Sequence, residues 1–358
     1  MKTTPLHDTH CKLNATFTER SDGWTLPLHY SDPISEHLAV RNDVGFTDIS
    51  YLGILELTGD DRASFLHRLV SNDVENLSVG EGNYATLLTH RGKIIADFNI
   101  YTIEDSIYVI TAPQVLDSLF IELDKYIIAD DVELKKSTDL GIIAVAGPNA
   151  SELVGSILDT NIQESLAELS SVSIEFNNDG VLCIRSSFYG GIGFQLITSI
   201  ANLEELWKSL SLCRSDVTPF GYQAQESLRI EAGTPLYSRE LTDSVIPLEA
   251  ELDHAIDFEK GCYIGQEIVA RMKYRGHPNR LLRGIEIQSD ETVPINTKIY
   301  DGDKEIGWVT SSTYSPSLDK QIALGYVRMA YTDAGCAIKL ETPEYQAVGS
   351  IVELPFLY

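Results

Sequence analysis

Ile54-Leu55-Glu56-Leu57-Thr58-Gly59, followed by Asp60 to Val70, reads like Ile142-Ile143-Ala144-Val145-Ala146-Gly147 followed by Pro148 to Leu158. In both stretches a short apolar strand ends at a glycine. A helix then opens on polar residues or proline, as N-terminal capping favours. The apolar positions of the two helices correspond, Phe65, Leu66, Leu69 and Val70 with Leu153, Val154, Ile157 and Leu158, at helical spacing. A second pair lies downstream at nearly the same offset, where Ile107 to Thr111 corresponds to Phe194 to Thr198. Each of these strands enters a helix, with Leu116, Leu119 and Leu123 in one and Leu203, Leu206 and Leu210 in the other. Two units of β-α-β-β-α order predict antiparallel sheets covered by helices on one face, an α+β rather than a doubly wound arrangement. Coincidence between amphipathic segments is the alternative, and two consecutive matched pairs argue against it.

Outward from the repeat, the texture changes after Arg280 to short strands separated by turn residues. The strands are Leu282 to Ile287, Lys298 to Tyr300, Glu305 to Thr310, Ala323 to Val327, Ala337 to Leu340 and Ala347 to Glu353, with turns at Asp301-Gly302-Asp303 and Ala334-Gly335. This predicts a small all-β barrel. A chain of 358 residues is long enough for two or three domains. Its net charge of -26, from 27 Lys and Arg against 53 Asp and Glu, repels phosphate backbones and anionic membranes. General nucleic-acid binding is therefore not expected. The apolar runs are far shorter than the roughly 20 residues that cross a bilayer, and no secretory signal is visible in Met1 to Arg20, so the expectation is a protein without a membrane span, cytoplasmic or organellar with its transit peptide lost. The five cysteines are scattered and form no CxxC pair, which fits free thiols in a reducing compartment.

The densest set of unusual residues is Lys260-Gly261-Cys262-Tyr263-Ile264-Gly265-Gln266-Glu267. It places Cys262 just before a helical stretch, Glu267 to Met272, and beside Lys260, where a helix dipole and a cation favour a thiolate. Cys262 is either that reactive thiol or a buried small hydrophobe. Arg271 to Arg280 is a basic island, containing Lys273, Arg275 and His277, that either holds a polyanionic ligand or balances local acid on a solvated face. Asp97 lies within the apolar run Gly92 to Phe98 and is either a capped structural residue or a ligand-facing acid or base. Arg229 and Glu231 fall on the same side of an expected extended stretch, where a structural ion pair is the plain reading. His7, His10 and Cys11 are close in sequence but lack a completing set at metal-ligand spacing. Cys183, in the strand Val181 to Ile184, is expected in the core.

These residues carry a resemblance over nearly the whole chain. KGCYIGQEIVARMKYRGHPNR, Lys260 to Arg280, resembles the motif of YgfZ-type folate-binding proteins. Asp48 to Ser50, Leu57 to Asp61, Phe65 to Val74, Gly92 to Asp97, Arg229 to Tyr237, Gly307 to Leu324 and Leu354 to Phe356 resemble the wider superfamily of the glycine-cleavage T-protein, an aminomethyltransferase. The resemblance implies two interleaved αβ domains around a central folate pocket, 1–50 with 140–230 and 51–139 with 231–279, followed by a C-terminal β-barrel domain, 280–358. It implies tetrahydrofolate or a derivative as cofactor, with Asp97 facing the folate amines, Arg229 facing the folate, and Cys262 as the functional thiol. Tyr189, Gln195, Lys260 and Arg275 complete the expected ligand-binding set, and Cys262 and Asp97 the catalytic pair. Gln195 stands where the T-protein has a pterin-binding Glu, and its neutral amide cannot make the charge-assisted pair of a carboxylate. The function implied is support of iron-sulfur cluster assembly or repair, with iron-sulfur client or assembly proteins as partners alongside a reduced folate. The alternative is folate-dependent aminomethyl or methyl transfer.

Overall fold

The computed structural model describes residues 1–162 and 166–357. The chain separates into two compact units, one of Met1–Leu66, Val74–Tyr84 and Phe98–Gln225, the other of His67–Asp73, Ala85–Asp97 and Glu226–Tyr358.

The internal repeat is realised strand for strand. In the first copy Gly53–Thr58 pairs antiparallel with Ile107–Thr111; in the second Leu140–Ala146 pairs antiparallel with Gly193–Ser199. The first lies in a five-stranded sheet ordered Gly82–Leu88, Ile94–Thr102, Ile107–Thr111, Gly53–Thr58, Glu133–Lys136. The second lies in a six-stranded sheet ordered Ser171–Phe176, Asp179–Arg185, Gly193–Ser199, Leu140–Ala146, Gly45–Asp48, Thr218–Pro219. Each copy has one strand more than expected, giving β-α-β-β-β-α. Ser171–Phe176 is a half-exposed edge strand; its residues alternate polar and apolar, but only Ser171 is buried.

Matched residues do matched work in the two copies. An added Cβ on Gly53 would meet the Leu116 side chain at 2.9 Å, and one on Gly141 would meet Leu203 at 2.4 Å. At or next to the start of each strand, therefore, stands the residue that lets the second helix of its copy pack closely. The strand-to-helix turn is matched as well. Gly59 has φ +97° and Gly147 φ +130°, and a Cβ there would lie 2.1 Å from the Asp131 carbonyl oxygen or 2.3 Å from that of Asp43. Only glycine fits such a backbone. The helix stripes point into the cores as read from the sequence. Leu153, Val154, Leu203, Leu206, Trp207 and Leu210 pack on Ile143, Val145, Phe194 and Leu196, with Cys183 in the same cluster.

The N-terminal segment is tied to this core by charge. His10 is fully buried; its Nε2 lies 2.9 Å from Asp48 Oδ2 and its Nδ1 2.9 Å from the Tyr30 hydroxyl. The ring stands edge-on to Trp207 at 4.9 Å. His7 instead packs on Phe17 and lies 3.7 Å from the exposed Cys11 sulfur. Among the described residues no group of His, Cys, Asp and Glu is arranged to hold a metal ion. Burial raises the Asp48 pKa, but hydrogen bonding and charge from His10, with hydrogen bonds from Thr4 and Ser50, outweigh it and hold the carboxyl below its ordinary range. Burial, with Asp48 and Glu36 nearby, pushes the Tyr30 hydroxyl well up.

In the second unit, among the described residues, six strands close a barrel in the order Arg280–Gln288, Lys320–Arg328, Lys304–Ser315, Lys298–Asp301, Ala337–Glu341, Gln346–Val352. Five contain the whole segment expected from the sequence and the last ends one residue short of it, at Val352; Ile285, Ile299, Val309, Ala323, Val327, Leu340 and Ile351 fill the interior. No helix among the described residues is long and apolar enough to cross a membrane, and the five cysteines are free.

Two outcomes follow for stability. Gly147→Ala should lower unfolding free energy by about 1–3 kcal/mol in urea titrations, whereas Gly180→Ala, with open space around its Cβ position, should stay within about 0.5 kcal/mol of the parent. Asp48, with its lowered pKa, contributes stability that is complete at neutral pH and is lost as the pH falls below the ordinary carboxylate range through the folded value. His10→Ala leaves that carboxylate buried without its main partner. It should cost about 3–5 kcal/mol and move the acid-unfolding midpoint, followed by circular dichroism, to higher pH.

Candidate functional site

The segment that carries Cys262 is built on an ammonium clasp. Lys260 Nζ donates to the carbonyl oxygens of His67 at 2.6 Å, Val70 at 2.9 Å and Asn72 at 2.7 Å. Helix Arg62–Leu69 ends there, and its last carbonyls have no intrahelical donors. A cation at that end also meets the negative pole of the helix. Asp257 fixes the approach, accepting from the backbone N–H of Glu259 at 2.7 Å and of Lys260 at 3.1 Å. The Tyr263 ring lies 5.5 Å below the ammonium and is nearly buried.

The helix runs Gln266–Arg275 with Gly265 as its N-cap, and Cys262 precedes it, as the sequence reading placed it. The expected role of Lys260 is corrected. The ammonium of Lys260 fills its three N–H positions with carbonyls, so it is not a charge held in reserve for the thiol. Cys262 itself is exposed, not a buried hydrophobe.

The basic island divides. Arg271 pairs with Glu267 at 2.9 Å, Lys273 with Asp253, and Arg280 with Glu249 at 3.2 Å. Those three balance local acid. Arg275 is exposed and makes no hydrogen bond or ion pair among the described residues, which leaves it available to an anionic group.

Arg229 lies on helix Tyr222–Glu231, not on an extended stretch. Residues two apart on a helix point to different sides, so the expected pair with Glu231 does not form. The guanidinium is 1% exposed and fills all five N–H positions. Nε donates to Glu226 at 3.0 Å, Nη1 to the Thr234 carbonyl at 2.8 Å and Glu240 at 3.2 Å, and Nη2 to Glu226 at 3.1 Å and Ser311 at 3.0 Å. Ser311 in turn donates to Glu240 at 2.7 Å, and the Tyr326 hydroxyl donates to the Glu240 carbonyl at 3.0 Å. Glu231 accepts from Ser315 and from Ser317 at 3.0 Å. The helix is thus locked to barrel strand Lys304–Ser315 and the turn after it.

Asp97 is half-buried on strand Ile94–Thr102, on the face opposite Ile94, Ala96 and Phe98. The start of that strand is clamped by Ile94 N–H to the Val245 carbonyl at 3.0 Å and by Lys93 Nζ to the Ser244 carbonyl at 2.7 Å. Burial and then the charges of Asp243 and Asp97 raise the Tyr237 hydroxyl. A half-buried carboxylate beside a phenol held in its protonated form can accept or hold a proton.

Tyr189 and Gln195 belong to the first unit. Tyr189 stands edge-on to Phe220 at 5.5 Å, and its hydroxyl donates to Gln225 Oε1 at 3.4 Å. Tyr51 donates to the same oxygen at 3.2 Å, and Gln225 Nε2 donates to Thr47 at 2.8 Å. Sequence reading missed Tyr51, Thr47 and Gln225, whose residue types alone give no signal. Gln195 is 6% exposed; its Nε2 reaches Ser186 at 3.4 Å, while its Oε1 is buried and has no hydrogen-bond partner among the described residues. A buried orphan acceptor is uncommon in native proteins and asks for a donor from outside.

Comparison with known proteins agrees with this architecture end to end. Residues 6–260 match the GCVT N-terminal domain, and residues 280–357 the glycine cleavage T-protein C-terminal barrel domain. Proteins named aminomethyltransferase are similar over nearly their whole length. The one from Corynebacterium aurimucosum is 30% identical over 98% of this chain and 97% of its own, and the one from Bacillus cytotoxicus 31% identical over 99% and 98%. The crystal structure of glycine cleavage system aminomethyltransferase T from Bartonella henselae matches with a TM-score of 0.91 at 26% identity, covering 99% of this chain and 98% of that one. The chain belongs to the glycine cleavage T-protein family, and its fold is the one that family shares.

The Lys260 clasp has a measurable consequence. Lys260→Met should lower unfolding free energy by about 3 kcal/mol, since carbonyls bound to a charged donor lose their partner. In a variant whose single cysteine is Cys262 it should also speed thiol labelling by releasing the loop. Unchanged labelling and stability would show that the clasp holds nothing in place.

Proposed function

We propose that this protein binds tetrahydrofolate or a close derivative and transfers a one-carbon unit to it as an aminomethyltransferase. The observation that carries the proposal is the similarity to proteins of that name over 98–99% of this chain and 97–98% of theirs. The residues fit the ligand's chemistry. A pterin presents ring N–H and amino donors, and the buried, unpartnered Oε1 of Gln195 is an acceptor of the right kind. The exposed Arg275 is of the type that suits the carboxylates of a glutamate tail. Asp97 would polarise the amine that accepts the carbon unit, or take its proton, with the Tyr237 hydroxyl nearby to stabilise the carboxylate. Arg229 supports the site as a positioning residue, because its donors are already committed within the protein.

A second reading is favoured by one observation, the exposed Cys262 on a clasped loop inside a segment that resembles the YgfZ type. In it the folate-binding protein supports iron-sulfur enzymes through that thiol, and carbon transfer is not its task.

The test is calorimetric titration with tetrahydrofolate, combined with an assay for methylene-tetrahydrofolate from an aminomethyl-loaded lipoyl carrier protein. The expected result is saturable binding and product formation, with Gln195→Ala binding about tenfold more weakly and Gln195→Glu binding more tightly through charge-assisted hydrogen bonds. Cys262→Ala should retain both binding and transfer. Binding without product, together with loss of iron-sulfur enzyme activity in cells carrying Cys262→Ala, would favour the second reading instead.

A further inference from the structure

A concavity of about 430 Å³ opens on the outer wall of the barrel, lined by Asn279, Arg280, Glu305, Trp308, Tyr326 and Arg328 among others. Register brings its two arginines together. Arg280 and Arg328 are direct partners on the antiparallel strands Arg280–Gln288 and Lys320–Arg328, and Trp308 is the direct partner of Tyr326 on the next strand. Like charges placed opposite each other on a sheet are destabilising unless something intervenes. For Arg280 something does: its guanidinium pairs with Glu249 at 3.2 Å and lies 4.8 Å and 5.0 Å from the ring centroids of Trp308 and Tyr326. Arg328 has no such relief. It is exposed, and it makes no hydrogen bond or ion pair among the described residues; nor does the side chain of Asn279. The one acidic residue of the lining, Glu305, is paired with Lys298 at 2.8 Å.

With 53 acidic residues against 27 basic ones, a basic side chain has a surplus of carboxylates to choose from. An arginine left without one, beside a second arginine and an aromatic wall, is a fork of donors shaped for a carboxylate or phosphate. A bare inorganic anion would leave most of the concavity empty, and the indole of Trp308 offers a face or edge to a flat ring.

We propose that this face of the barrel binds a small organic anion made of a planar ring joined to one carboxylate or phosphate. Arg328 and Asn279 hold the anionic group, and Trp308 packs on the ring. The site is separate from the folate reading and does not depend on it.

The full-length protein would be titrated with adenosine 5′-monophosphate and with 4-hydroxybenzoate, which differ in the anion. Adenosine supplies a ring without the anion, and inorganic phosphate the anion without the ring. Binding is read by calorimetry and by Trp308 fluorescence. One ring-bearing anion should saturate below about 1 mM, with adenosine and phosphate each at least about tenfold weaker. Arg328→Ala should weaken that binding about tenfold, with its melting temperature no lower than the parent's, since the like-charge pair is relieved. Arg328→Lys should recover only part, because an ammonium cannot make the paired contact. Equal binding by Arg328→Ala and the parent would overturn the proposal, as would failure of both ring-bearing anions to saturate. Loss of tetrahydrofolate affinity in Arg328→Ala would also overturn it, by making the concavity part of the folate site.

Discussion

The Arg229 guanidinium is almost entirely withdrawn from water, and each of its five N–H groups must therefore find an acceptor inside the protein. That requirement organises the second unit. It draws the end of helix Tyr222–Glu231, the turn at Thr234 and the Glu240 carboxylate against barrel residue Ser311. A network of this kind is not by itself a large source of stability, because desolvating the charges costs nearly what their attraction returns. Its effect is on uniqueness. Any shift between the helix and the barrel strand strands a charge in a dry environment, so alternative packings of the same apolar surfaces are excluded. Lys260 on the helix-end carbonyls and His10 on Asp48 apply the same rule elsewhere in the chain.

The parts of the fold that follow a period were legible in the sequence. The repeat showed itself because both copies need a glycine at the strand-to-helix turn and apolar residues at helical spacing after it, and the barrel because turn residues separate short apolar strands. The reading failed where burial and polarity part company. Helix Tyr222–Glu231 turns Gln225, Ser227, Arg229 and Glu231 inward along with Ala224 and Leu228, so its buried face carries no apolar stripe to recognise. Ser171–Phe176 parts them in the opposite way: its residues alternate polar and apolar, yet as an edge strand it leaves Val172 exposed and buries only Ser171.

The site was legible in its residue types and not in their partners. Lys260 and Cys262 stood out as unusual neighbours, yet the acceptors that fix Lys260 are main-chain carbonyls, which leave no trace in a side-chain pattern. His10 looked like one member of a weak metal-binding cluster; its true partner, Asp48, is remote in sequence and reached only through the fold. Gln195 illustrates the reverse. The substitution of amide for carboxylate was visible beforehand, while the isolation of its oxygen from other protein groups required coordinates. Family membership accounts for the scaffold, and this chain's own side chains account for how the scaffold is used.

The Lys260 clasp bears on how the protein responds to its ionic surroundings. Three carbonyl oxygens converging on a positive charge resemble the coordination of a bound potassium ion, except that here the cation is covalently tethered and cannot exchange with the medium. Dissolved salt damps the mutual repulsion of a surface carrying a net charge of -26 but scarcely reaches a contact enclosed by the chain. Concentrated brine should therefore strengthen the molecule as a whole while leaving this joint indifferent, so that the segment bearing Cys262 keeps the same hold in dilute and in saline water.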